Sequence, residues 1–314
     1  MRHWVEAARV RTLPLSVSGI ILGSFYAMSQ AIFNWNIVLF ALTTTLGLQI
    51  LSNFANDYGD GVKGTDNADR VGPMRSIQSG VITPKQMMRA MVITSILTLI
   101  SAILLIYYSF KDDYLIYSLS FLFLGIIAIA SAIRYTVGNT AYGYRGYGDI
   151  FVFVFFGLVS TLGIYFMFAK ELDIALILPA VAIGFLSVGV LNLNNMRDEE
   201  SDKKVNKNTI VVKIGGAKAK IYHYFLIVGA MLLIIIFALL KDFQFDQYIF
   251  LLAYWPLTRH LVRVYKNTDP RTLDPELRRL AISTFLLSVL LSLCLIFFFS
   301  DIVVQIFNAL KNNL

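Results

Sequence analysis

The chain has 314 residues, of which 57% are hydrophobic and only 15% charged, with a formal net charge of +7. A soluble domain carries about 25% charged residues, so the composition excludes an ordinary water-soluble protein and points to the membrane class. The basic residues are interspersed with acids rather than gathered in a separate tail, which argues against a nucleic-acid-binding patch.

Apolar stretches near 12–31, 36–55, 86–108, 114–133, 148–168, 174–195, 221–240, 246–265 and 280–300 are each of membrane-spanning length. Inside lipid such segments must be helices, because a helix satisfies its own backbone hydrogen bonds. They are continuous apolar runs and not alternating tens, which excludes a β-barrel. The expectation is an all-α, multi-pass membrane protein with nine spans, forming one domain over residues 1–314.

In chain order, the opening MRHWVEAARVRTLPLS has no small-residue cleavage site after a short apolar region, so the first span is expected to remain in place. Gly19 and Gly23 on that span have the spacing of a small-residue packing face, read here as helix contact within the monomer. Span 2 runs out into NDYGDGVKGTD. Gln49, Asn53, Asn56, Asp57 and Asp60 recur at helical spacing and form one polar stripe. The acid spacing of residues 57–69 does not match an EF-hand, and no Glu closes its twelfth position. Lys63, Arg70 and Arg75 follow the stripe.

The connection RYTVGNTAYGYRGYGD carries Arg134, Tyr142, Tyr144, Arg145 and several glycines. Span 6 ends LNLNNMRDEESD, placing Asn194, Asp198 and Asp202 on a second stripe, with Lys204, Lys207 and Lys213 beyond it. NTDPRTLDPELRRLA leads into the last span, where Asp274 and Pro275 have the chemistry of a helix start. His3, His223 and His260 are scattered along the chain, and Cys294 is the only cysteine, so no cysteine metal cluster or intrachain disulfide is expected.

With the N-terminus placed in the cytoplasm, every Lys and Arg except Lys111, Lys170, Lys241 and Lys311 falls on the inner side. That is the positive-inside pattern. The long polar loops lie on the same side, where a site is expected. Asn53–Asp57 and Asn194–Asp198 repeat one Asn-xxx-Asp spacing four spans apart. The echo suggests two four-helix pseudo-repeats, about 10–133 and 148–265, plus a ninth helix at about 280–300.

Two carboxylate stripes facing one cavity would repel strongly unless a positive charge lay between them. Carboxylates and amide oxygens suit hard cations, and Mg2+ commonly completes its shell with phosphates. The stripes therefore read as paired Mg2+ sites that hold a diphosphate, with nearby Lys and Arg as anion partners. A cation transporter is the rival of a different class. Its ionisable groups would lie at mid-span, whereas these lie at span ends.

At these residues the chain resembles the UbiA superfamily of intramembrane prenyltransferases, whose members carry N-D-x-x-D after the second helix and D-x-x-x-D after the sixth. The matching residues are Asn56, Asp57 and Asp60, then Asp198 and Asp202. The longer family pattern has an acid where this chain has Gly64, with Asp66 two residues on. The resemblance implies nine helices around a central cavity in a bacterial inner membrane. It implies Mg2+ held by Asp57, Asp60, Asp198 and Asp202, supported by Asn53, Asn56 and Asn194. It further implies diphosphate contacts from Lys63, Arg70, Arg75, Arg134 and Lys207, and acceptor contacts from Tyr142 and Arg145.

The strings ARVRTLPLS, NDYGDGVKGTDNADRVGPMRSIQSGVIT, YGYRGYGDIFVFVFFG and NNMRDEESDKKVNKNTIVVKIG are most similar to the branch that prenylates 1,4-dihydroxy-2-naphthoate. The implied substrates are that acid and a polyprenyl diphosphate, with no nucleic acid and no obligatory protein partner. Another acceptor, such as 4-hydroxybenzoate, is the rival within the same family.

Overall fold

The computed structural model describes residues 2–66, 71–111 and 113–296. The described residues form helices and no strands. A short α1 (Arg2–Ala8) precedes α2 (Leu13–Ser29), α3 (Trp35–Val62), α4 (Pro84–Phe110) and α5 (Leu115–Arg134). The next stretch starts as α6 (Gly148–Val152), widens into a π-helical segment (Phe153–Gly163) and closes as α7 (Ile164–Ala169). Then follow α8 (Ile177–Arg197), two short helices α9 (Glu199–Lys204) and α10 (Ile210–Ile214), α11 (Gly216–Leu240), α12 (Tyr254–Lys266) and α13 (Asp274–Ile296).

Seven helical stretches among the described residues are long and apolar enough to cross a membrane, and the protein is a membrane protein. The first expected span coincides with the 17-residue apolar α2. The eighth differs from expectation in kind. Phe245–Ala253 is 3-10 helix, and α12 is strongly one-sided, with Arg259, Arg263 and Lys266 along its polar face. The ninth expected span is seen as far as Ile296, and the remainder lies outside the described residues.

Helix starts follow local chemistry. Asn34 caps α3 by accepting from the Asn36 amide. Thr83 and Gln86 form a capping box at α4, with Pro84 at its first position. α8 is the most enclosed span, packed against α11, α13 and the π-helical segment, whereas α5 has no buried residue.

The glycine pair on α2 packs inside the monomer as expected. A Cβ on Gly19 would sit 1.9 Å from Ser160 Oγ, and one on Gly23 would sit 2.4 Å from the Thr161 carbonyl. Backbone has nowhere to move at that contact, so Gly23→Val is expected to cost about 1–3 kcal/mol. A lowered melting temperature in detergent checks this, and an unchanged one contradicts the packing.

Two of the three histidines meet in space. His223 on α11 and His260 on α12 meet Nε2 to Nε2 at 2.8 Å, and His260 Nδ1 is 2.7 Å from Glu276 on α13. Arg263 donates to the same carboxylate at 2.6 Å, and Arg279 also pairs with it. The network ties three helices together at the start of α13. Among the described residues no group of three or more His, Cys, Asp or Glu side chains is arranged to bind a metal.

Candidate active site

The last turns of α3 bring the first motif to its place. The Asn53 amide donates to the Ala8 carbonyl at 2.9 Å, which fixes α1 across the helix. The Thr136 hydroxyl donates to the Ala55 carbonyl at 2.8 Å and lies 3.2 Å from Asn56 Oδ1. Asp60 is buried and accepts from the Tyr144 hydroxyl at 2.7 Å. That hydroxyl also lies 2.6 Å from Thr65 Oγ1. Asp57 faces the other way and accepts the backbone N–H groups of Ser76 and Ile77 at 3.2 and 3.4 Å, holding the turn that carries Arg75.

Gly64 has φ of 72°, so an acidic side chain at that position would carry left-handed strain. Asp66, two residues on, is buried 3.8 Å from Arg75 Nε.

The second motif is built at the end of α8. Arg197 is buried and forks onto Asp198, with Nε to Oδ1 at 2.8 Å and Nη2 to Oδ2 at 2.7 Å. The same Nη2 donates to Asn194 Oδ1 at 2.8 Å, and Nη1 reaches Asp274 Oδ1 at 2.5 Å. One turn on, Asp202 lies 3.4 Å from Lys207 Nζ. Burial pushes the Asp202 carboxyl up to about 6. Lys207 is buried too, yet Asp202 and Asp60 together outweigh that burial and hold its ammonium strongly protonated. Lys207 also lies 5.7 Å from the Tyr144 ring centroid. One carboxylate of each stripe, Asp60 and Asp202, therefore acts on Lys207.

These groups close one end of a cavity of about 360 Å³. Asn53, Asn56, Asp60, Arg75, Asn194 and Lys207 line its polar end. Tyr135, Tyr142 and Phe151 form an aromatic wall, and Tyr142 stacks on Phe151 at 3.9 Å between centroids. Leu105, Ile106, Phe121, Ile164 and Met167 line the apolar depth.

The other expected anion contacts lie apart from this cavity. Lys63 donates to the Thr136 carbonyl at 2.7 Å and sits 4.1 Å over the Tyr144 ring. Lys63 and Arg145 line a second, polar recess behind Tyr144. Arg145 is exposed, and Arg134 is exposed with its guanidinium on Thr140. Arg70 lies outside the described residues.

Arg197 and Tyr144 were not singled out as site residues from sequence, and the geometry places them within the two motifs. Both had a signal. Arg197 stands one residue before Asp198 and three after Asn194, and Tyr144 sits in an aromatic–glycine loop.

The ends of α3 and α8 offer hard oxygen donors of the kind a divalent cation takes: Asp60 and Asp202 both act on Lys207, whereas Asp57 is turned to the Ser76 and Ile77 amides and Asp198 is held by Arg197. Among the described residues, Asp202 Oδ2 is buried without a hydrogen-bond partner.

The model of the UbiA prenyltransferase family matches residues 16–289. The chain belongs to the UbiA prenyltransferase family. A 1,4-dihydroxy-2-naphthoate octaprenyltransferase of Escherichia coli (strain K12) is 44% identical over 276 residues, covering 88% of this chain and 89% of its own. The protein of the same name in Haemophilus influenzae is 40% identical over 299 residues, with coverage of 94% and 96%. Two solved UbiA homologues share the fold at 14% identity. The apo form from Aeropyrum pernix K1 has a TM-score of 0.67, covering 90% of this chain and 97% of its own. That from Archaeoglobus fulgidus, bound to DMAPP and Mg2+, has a TM-score of 0.59, with coverage of 92% and 99%.

Proposed function

We propose that this UbiA-family protein transfers a polyprenyl group from an allylic polyprenyl diphosphate to 1,4-dihydroxy-2-naphthoate with loss of CO2, giving demethylmenaquinol for menaquinone synthesis. The observation that carries the reading is a single cavity with Asp60, three asparagines and the cations Arg75 and Lys207 at one end, an aromatic wall, and an apolar depth. Extensive identity to two naphthoate octaprenyltransferases supports the acceptor. The same family membership and the placement of the acids at helix ends set the transporter reading aside.

Asp57, Asp60, Asp198 and Asp202, with Asn53, Asn56 and Asn194, are the residues that would hold Mg2+. When bound, the metal supplies charge neutralisation for a departing diphosphate. Metal use by a UbiA homologue bound to DMAPP and Mg2+ supports this assignment. Lys207 and Arg75 face the diphosphate position as protein cations, and Lys63 stands behind Tyr144. Leu105, Ile106, Phe121 and their neighbours take the apolar tail and exclude water from the allylic carbon.

The acceptor ring packs against the Tyr142–Phe151 wall. Its carboxylate-bearing carbon forms the new C–C bond as the allylic C–O bond breaks and diphosphate leaves. The C–CO2 bond then breaks, its electron pair restores aromaticity, and no general base is needed.

We read the chain further as two four-helix repeats plus a ninth helix, the eighth span being the 3-10 stretch Phe245–Ala253 in series with α12, and with the N-terminus and site facing the cytoplasm of a bacterial inner membrane. The side bias of Lys and Arg supports that orientation.

Competition between acceptors tests the function. With octaprenyl diphosphate and Mg2+, the purified protein is expected to prenylate 1,4-dihydroxy-2-naphthoate and leave equimolar 4-hydroxybenzoate unmodified. Preferential prenylation of 4-hydroxybenzoate would keep the family and remove the menaquinone assignment.

A further inference from the structure

Arg197 has a buried guanidinium whose donors are spent on the very oxygens that the second motif would offer to a cation. Its side chain is 2% exposed, it occupies both oxygens of Asp198, and it takes Asn194 Oδ1 as well. A guanidinium keeps its charge at any accessible pH, and a buried charge must keep a partner. Asp274 is that second partner, 2.5 Å from Nη1 on the opposite side of Arg197 from Asp198 and 31% exposed. Asp274 begins α13 and ends the 3-10 turn Pro270–Leu273. Arg271 on that turn pairs at 2.6 Å with Glu200 of α9, two residues from Asp202. The second motif and the last loop are thus joined through two arginines, and Arg197 is the buried one.

We propose that Arg197 is a positioning latch: it holds Asp198 and Asn194 closed, and a divalent cation entering the second motif displaces the guanidinium from Asp198 onto Asp274. Cation entry is thereby coupled to the loop that starts α13. The inference rests on the reading of the two motifs as divalent-cation ligands. Substitutions of Arg197 and Asp274 should act in opposite senses. Removing the arginine frees the donor oxygens, whereas neutralising Asp274 leaves the guanidinium nowhere else to go and tightens its hold on Asp198.

The test is a Mn2+ titration of the purified full chain without substrate, followed by the paramagnetic resonance of free Mn2+. Arg197→Gln is expected to bind Mn2+ about tenfold more tightly and Asp274→Asn about tenfold more weakly, the size of an ordinary coupling between sites. Asparagine keeps the size of Asp274 at the start of α13 and removes its charge. In the double variant the Asp274 effect should vanish, since it acts through Arg197. Unchanged or weaker binding by Arg197→Gln, or unchanged binding by Asp274→Asn, would make Arg197 a plain structural tie and overturn the latch. If Arg197→Gln does not fold, Asp274→Asn decides alone. Absence of Mn2+ binding by the unaltered protein would instead overturn the cation reading itself.

Discussion

Asp60→Asn is expected to lower prenyl transfer by about a hundred- to a thousand-fold, the usual loss when a group that balances transition-state charge is removed from a dry site. Asp60 lines the polar end of the cavity and accepts from Tyr144. It is also one of the two carboxylates that hold Lys207 protonated. Asparagine has the same shape and can still accept from Tyr144, so the fold should survive, with a melting temperature close to that of the unaltered protein. Asp66→Asn is the matched control. Asp66 lies against Arg75 at the edge of the motif, and its loss should change the rate by only a few-fold. A rate within tenfold for Asp60→Asn, or equal losses in both variants, would remove Asp60 from the site.

Lys207→Met should act on stability as well as on rate. Lys207 is 9% exposed, and its ammonium interacts with both Asp60 and Asp202. Deleting one partner of a buried charge pair costs about 3–5 kcal/mol, because the charge left behind is uncompensated. Here two carboxylates are left, one with an oxygen that already lacks a hydrogen-bond partner. The variant should melt at a lower temperature in EDTA, and Mg2+ should raise that temperature more than it does for the unaltered protein. The divalent ion would then be supplying the missing positive charge. A melting temperature that ignores the substitution would place Lys207 outside the carboxylate cluster.

Much of this site is legible in the chain because helical periodicity is local. Gln49, Asn53, Asn56 and Asp60 recur over three turns, and the same face lines the cavity or its rim. The limit of that reasoning is angular. Successive residues are about 100° apart around a helix, so Asn56 and Asp57 cannot both point down one narrow groove. Asn56 lines the cavity, and Asp57 turns to the amides of Ser76 and Ile77.

What the chain hides is whatever depends on contact between distant elements. Arg197 reads as one basic residue in a charged loop until α13 brings Asp274 to it. His223 and His260 are 37 positions apart and meet only because α11 and α12 pack together. Arg134 and Arg145 read as site cations by proximity in sequence, yet their loop folds so that both are exposed. Residues 246–265 read as a span by average hydropathy, while their basic residues recur on one helical face, which an average conceals.

The most direct measurement of the central claim uses 1,4-dihydroxy-2-naphthoate labelled with carbon-13 in its carboxylate, given to the purified protein with octaprenyl diphosphate and Mg2+. The account predicts one labelled CO2 released for each prenylated product, with both absent when Mg2+ is chelated. A prenylated product that retains the label, or release of CO2 without prenylation, would contradict it.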